Sequence, residues 1–93
     1  MISIKSTREI EIMRQSCQLA ARTLNYIDNK LEIGMTTEDV NTLCHDFIIA
    51  HDAYPSPLNY HGFPKSVCTS LNEVICHGIP STKDKLKDGD ILN

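Results

Sequence analysis

Apolar residues recur along the first third of the chain at alternating steps of three and four: Ile10, Met13, Cys17, Ala20, Leu24, Ile27 and Leu31. That spacing draws one stripe along a helix of about six turns, with charges and amides on the other faces. Ahead of it, Ser6-Thr7-Arg8-Glu9 has the Ser-x-x-Glu form of a capping box, which closes the unpaired amides of a helix start. Gly34 is a natural helix stop. Thr36-Thr37-Glu38-Asp39 then restarts a second helix, predicted to reach about Asp52 with Val40, Leu43, Phe47 and Ile48 facing inward. The small Cys17 and Ala20 on the first stripe suit packing on a sheet better than a coiled-coil seam.

The pattern changes after Asp52. The segment YPSPLNYHGFPKS, residues 54–66, holds Pro55, Pro57, Pro64 and Gly62, so it cannot continue a helix. It also carries the rings of Tyr54, Tyr60 and Phe63, and reads as a rigid aromatic wall. Val67, Thr69 and Leu71 alternate with Cys68 and Ser70, the period of a half-buried strand. NEVICH, residues 72–77, reads as a second strand pairing back on the first and ending at Gly78-Ile79-Pro80. The following STKDKLKDGD is a charged turn region, and Ile91-Leu92 look like the start of a further strand. Two long helical stripes with so little sheet to cover suggest a domain that continues beyond Asn93.

Composition narrows the function classes. The 93 residues suffice for one small domain, which at this size buries roughly 60% of its unfolded surface. A net charge of −3 offers no basic field for a phosphate backbone, so nucleic-acid binding by bulk electrostatics is not expected. No apolar run approaches the ~20 residues of a membrane span. The N-terminus mixes charge early and lacks the form of a signal peptide, so a cytoplasmic protein is expected. Cys17, Cys44, Cys68 and Cys76 contain no CxxC pair, and free buried thiols are expected for them.

Three chemistries compete for Cys76-His77. Zinc ligation would recruit Cys44, His45, Cys68, Cys76 and His77, but structural zinc ligands come in pairs two to four residues apart, and these do not. A Cys-His nucleophilic pair fails because neighbours on a strand point to opposite faces; the consistent arrangement has Cys76 inward and His77 facing a cleft. His77 is then either a satisfied structural histidine or an imidazole at a sheet edge, able to hydrogen-bond a substrate amide near neutral pH. His51 and His61 read as solvated surface groups. No GxGxxG, P-loop or GxSxG motif occurs.

At NYHGFPKS, residues 59–66, and NEVICHGIP, residues 72–80, the chain closely resembles type I methionine aminopeptidases. The LKDGDILN terminus and both helices fit as well, so the resemblance covers essentially the whole chain. It implies an α/β architecture: the N-terminal half of a pita-bread (creatinase/aminopeptidase-like) fold, with two long helices packed on a mostly antiparallel sheet. It also implies a hydrolase that removes the initiator methionine from nascent proteins when the second residue is small. Two divalent ions, cobalt, manganese, iron or zinc, activate the attacking water in that family.

By the same resemblance His77 orients the substrate near the scissile amide, and Tyr60 and Phe63 line the methionine side-chain pocket. Pro57 occupies a pocket position that is cysteine in some relatives. The backbone carbonyls of Asn72 and Val74 match a monovalent-cation site. The family's metal ligands are two aspartates, a histidine and two glutamates, and the first falls just past Asn93; residues 1–93 alone are therefore expected to hold no metal and to be inactive. The implied partners are nascent polypeptide N-termini near the ribosome, and the whole enzyme is expected to be a monomer of bacterial type. The alternative is a non-catalytic pita-bread relative that binds proteins or the ribosome.

Overall fold

The computed structural model describes all 93 residues. Helix α1 spans Thr7–Asp28 and helix α2 spans Thr37–Ala50, both close to their predicted bounds. Each begins with a reciprocal capping box. Ser6 Oγ accepts from the Glu9 amide at 3.2 Å while Glu9 Oε1 accepts from the Ser6 amide at 3.0 Å. Thr36 and Asp39 repeat the exchange at 3.0 and 2.9 Å, an aspartate doing what glutamate does in the first box. These bonds hold the Glu9 carboxyl below its usual range, through the Ser6 amide first and its hydroxyl second.

The α1 stripe does not become a core face. Of its seven residues only Ile27 is buried, while Leu24 is 69% and Met13 50% exposed. The face of α1 that meets α2 is the one bearing Thr23, Tyr26 and Ile27, with Ile27 against Val40 and Cys44. Tyr26 is stacked 4.5 Å from Phe47, so Leu24 points away although it lies in the same turns. The chain is correspondingly extended, with a radius of gyration of 14.8 Å against about 12 Å for a compact domain of this size. The core consists of Ile27, Val40, Cys44 and Leu86, with Met35, Leu43, Val67, Leu71 and Leu92 packed against it. Val40 thus faces inward as expected, and Cys44 joins it.

The expected sheet is also absent. In place of strands there are two isolated antiparallel pairings, Thr36 with Lys85 and Leu71 with Leu92. Residues 70–72 pair with 91–93, not with 74–77: Ser70 and Asn93 exchange amide bonds of 2.7 and 2.9 Å, and the Asn72 amide donates to the Ile91 carbonyl at 2.9 Å. The cause lies in the backbone of the NEVICH segment. Asn72 and His77 take left-handed conformations, φ 50° and 57°, and the Val74 amide closes a turn onto the Leu71 carbonyl at 2.9 Å. A segment coiled in this way presents no extended edge. Side-chain alternation is lost with it, so Cys76 is exposed rather than inward.

Loop 81–86 wraps the start of α2. The Thr37 amide donates to the Asp84 carbonyl at 2.8 Å, and Thr37 Oγ1 both accepts from the Ser81 amide at 2.9 Å and donates to the Ser81 carbonyl at 3.1 Å. Free amides of the helix start are satisfied by the chain rather than by water. This wrap and the 70–72 pairing anchor the segment that carries His77.

Candidate functional site

The proline-aromatic segment is built from short-range turns. The Tyr60 amide donates to the Pro57 carbonyl at 3.0 Å, and the Phe63 amide to the Tyr60 carbonyl at 2.9 Å, forming the 3-10 turn Tyr60–Gly62. Asn59 and His61 sit at φ 64° and 48°, in the left-handed region. Tyr54 donates its hydroxyl to the Leu58 carbonyl at 3.2 Å and accepts from Asn59 Nδ2 at 3.1 Å, which ties the segment's start to its middle. The result is a stiff projection, as the prolines predict.

Opposite it, the 69–78 loop is closed by the Thr69 amide on the Gly78 carbonyl at 2.7 Å. Gly78 is required there by close approach: a Cβ at this position would lie 2.1 Å from the Thr69 carbonyl oxygen. The closure sets His77 beside the aromatic projection. Between the two segments lies an open cavity of about 790 Å³, lined by Pro57, Tyr60, Phe63, Cys68, His77 and Ile79 among others. That is the size range of small-molecule sites.

The four residues named for the substrate, Pro57, Tyr60, Phe63 and His77, therefore line one cavity. Asn72 and Val74 do not line it. They lie in the 71–74 turn, where neither backbone carbonyl accepts a hydrogen bond. The Asn72 side chain is engaged, donating to Asp90 Oδ1 at 3.1 Å and accepting from the Ile91 amide at 3.0 Å. The bond from Asn72, followed by one from the Lys87 amide, holds the Asp90 carboxyl below its usual value.

Two residues reach the cavity that the chain's pattern did not put there. Cys68, read as a core thiol, is half-buried in the cavity wall, and His61, read as a surface group, lines the rim with its imidazole 4.3 Å edge-on to the Tyr60 ring. Of the four cysteines only Cys44 is buried, and burial pushes its thiol up from the usual value. Strand alternation carried the one signal available: it set Cys68 on the face opposite Val67 and Thr69. Both of the cavity's imidazoles, His61 and His77, sit on left-handed backbone, a conformation that costs energy for a non-glycine residue and that Asp52, Asn59 and Asn72 share outside the cavity.

Nowhere do three or more His, Cys, Asp or Glu side chains converge to hold a metal ion. The chemistry assigned to the cavity residues below is binding and orientation. No helix is long and apolar enough to cross a membrane.

The path of this chain, from the two helices through the proline-aromatic segment to the His77 loop, matches solved structures closely. The chain superposes on the crystal structure of methionine aminopeptidase from Rickettsia prowazekii with a TM-score of 0.93 and 50% identity, covering 99% of this chain and 37% of that one. The methionine aminopeptidase structure from Thermotoga maritima gives 0.94 at 33% identity, with the same coverage. The fold is that of the corresponding part of those enzymes. Residues 11–93 match metallopeptidase family M24, and the chain belongs to that family. Among curated relatives, the human mitochondrial methionine aminopeptidase 1D is 52% identical over 92 residues, covering 99% of this chain and 27% of that protein. Dictyostelium discoideum methionine aminopeptidase 1 is 54% identical over 90 residues, covering 97% and 24%. The chain thus spans about a quarter to a third of the length of the curated relatives it matches.

Proposed function

We propose that this chain supplies one wall of the substrate site of a methionine aminopeptidase, which removes the N-terminal methionine from nascent proteins when the second residue is small. The observation that carries the reading is the meeting of Pro57, Tyr60, Phe63 and His77 at one cavity. Flat rings and the Cys68 sulfur suit a polarizable, unbranched thioether. The His77 imidazole at the rim donates to or accepts from the scissile amide and holds it in register, a contribution from orientation. The family is one of metallopeptidases, and two divalent ions (cobalt, manganese, iron or zinc) belong to the whole enzyme in this reading. Their ligands then come from the remaining length of a relative-sized domain. The free carbonyls of Asn72 and Val74 are proposed as donors to a monovalent cation.

Nascent chain N-termini near the ribosome are the proposed partners, and a monomer the proposed state of the whole enzyme. The cytoplasm is the proposed compartment, where four unpaired thiols persist, against the mitochondrial setting named for several relatives. The curated relatives reported above are aminopeptidases, so nothing favours the binding-module alternative.

A chimera tests the proposal: residues 1–93 joined to the remainder of the Rickettsia prowazekii enzyme, which aligns with this chain at 51% identity. With cobalt or manganese the chimera is expected to release methionine from Met-Ala-Ser and to spare Met-Leu-Ser, while the 93-residue chain alone releases none. A folded chimera that cleaves neither peptide refutes the substrate assignment; turnover by the chain alone refutes the division of labour.

A further inference from the structure

The face of α2 without the apolar stripe is the one with the longest reach. Glu38, Asn41 and His45 recur on it at steps of three and four, so their side chains share one side of the helix. Asn41 is only 8% exposed, and its Oδ1 accepts from the amides of both Ser66, at 2.8 Å, and Val67, at 3.2 Å. Ser66 is 3% exposed, and its hydroxyl lies 2.7 Å from His45 Nδ1 in a hydrogen bond. Glu38 pairs with Lys65 at 2.7 Å and accepts from Asn41 Nδ2 at 3.4 Å. Three consecutive residues, Lys65 to Val67, are thereby fastened to three helix side chains.

None of those three residues lines the 790 Å³ cavity, yet both of their flanks do: Phe63-Pro64 on one side and Cys68 on the other. The backbone between two walls is held from behind. One oxygen receiving two successive amides also dictates the local conformation, because both N–H vectors must converge on a point. A substitution that removes the oxygen leaves two amides unpaired at a site with little access to water.

We propose that Asn41, supported by His45, is a positioning residue that sets the separation of the Phe63 and Cys68 walls of the cavity through the Ser66 and Val67 amides. The link to catalysis rests on reading the cavity as the methionine side-chain pocket. Asn41 touches no substrate in this arrangement. Its effect is on fit, so it belongs in KM rather than in kcat.

The wall can be read directly in the chimera by alkylating it with iodoacetamide and following each cysteine of residues 1–93 by peptide mass spectrometry. Cys44, buried on the same helix, reports global loosening. Asn41→Ala is expected to raise the Cys68 rate about tenfold, the equivalent of one lost buried hydrogen bond, and to leave Cys44 within about twofold. Asn41→Asp keeps the acceptor oxygen but sets a second carboxylate beside Glu38, so it is combined with Glu38→Gln, and the pair restores the Cys68 rate. Ser66→Ala removes only the His45 bond and gives a smaller rise, which keeps the test usable if Asn41→Ala does not fold. In the chimera, Asn41→Ala raises KM for Met-Ala-Ser about tenfold at nearly constant kcat, and Asn41→Asp combined with Glu38→Gln recovers it. An unchanged Cys68 rate overturns the proposal. So does an equal rise at Cys44, which reduces Asn41 to general stability, or a loss confined to kcat. Cys68 rates that respond as expected in a chimera without turnover uphold the positioning role and sink the methionine reading.

Discussion

Replacing Gly78 by alanine probes the closure that places His77. The new methyl would stand 2.1 Å from the Thr69 carbonyl oxygen, 2.6 Å from its carbon and 2.9 Å from Ser70 Cα. All three are backbone atoms or their direct neighbours, so no side chain can swing aside. Reaching even the 3.0 Å at which real contacts begin requires the two sides of the loop to part by 0.9 Å. That opening stretches the 2.7 Å bond from the Thr69 amide to the Gly78 carbonyl and the 3.2 Å bond from the Gly78 amide to Ser70 Oγ. Overpacking of this kind costs about 1–3 kcal/mol and a lost hydrogen bond about 1 kcal/mol more, so urea unfolding should show a loss of about 2–4 kcal/mol. The neighbouring His77 moves by a similar distance, and a misplacement of about 1 Å at an orienting group is worth about a hundredfold in kcat/KM. Gly89→Ala is the control: its φ of 89° strains an alanine, but its Cβ meets nothing within 4 Å and it lies outside the cavity. Gly89→Ala should therefore lose stability alone. If Gly78→Ala in the chimera unfolds at the wild-type urea concentration with unchanged kcat/KM, the close-approach argument is wrong.

Other expected outcomes follow from the same region. His77→Gly should be about 1 kcal/mol more stable than His77→Ala by thermal unfolding, since alanine keeps the left-handed strain at φ 57°, while both lose most of the chimera's activity. Equal stability of the two would show that the backbone there is not strained. Thr69→Val should be neutral or stabilising by up to about 1 kcal/mol, because the buried Thr69 hydroxyl has no hydrogen-bond partner; a clear loss in urea unfolding would reveal a bond to that oxygen. The Asp90 carboxyl, held down chiefly by Asn72, contributes stability that is complete above the ordinary 3.8 and lost as pH falls through its lower folded value. In Asn72→Ala, carbon-detected titration by NMR should move Asp90 back toward 3.8, and an unmoved titration would exclude Asn72 as the main cause.

The helices were legible because their signals are local. Ser6 with Glu9, and Thr36 with Asp39, close capping boxes within four residues, and no distant contact is needed to recognise them. The sheet was not legible, because alternation at Val67, Thr69 and Leu71 describes half of a pairing and says nothing of its partner. The partner of residues 70–72 turned out to be 91–93, and left-handed Asn72 removed the segment next in line. The exposure of Leu24 and Met13 escaped notice for a related reason: an apolar stripe announces that a helix can be buried, not that something is present to bury it. Pro57, Tyr60, Phe63 and His77 are named by motif resemblance and share one cavity, which Cys68 and His61 join through geometry alone. The polar face of α2 was missed because periodicity was followed through apolar positions. Glu38, Asn41 and His45 carry the same helical spacing in polar residues.

The wrapping of α2 has a consequence for how the site could change over evolutionary time. Asn41 grips Ser66 and Val67, Thr37 grips Ser81, and the stretch between them, with Cys68 and His77, begins and ends on the same helix. A loop whose two ends share one rigid mount can vary in length at small entropic cost, about 0.6 kcal/mol for each doubling. Substitutions at Ile75 and Cys76, both exposed and outside the 70–72 pairing, would then be absorbed locally, leaving the helical mount and its caps untouched. Change is thus uneven: the exposed part of the loop can vary without disturbing the helix beneath it, whereas a change at Asn41 is passed on to Ser66 and Val67.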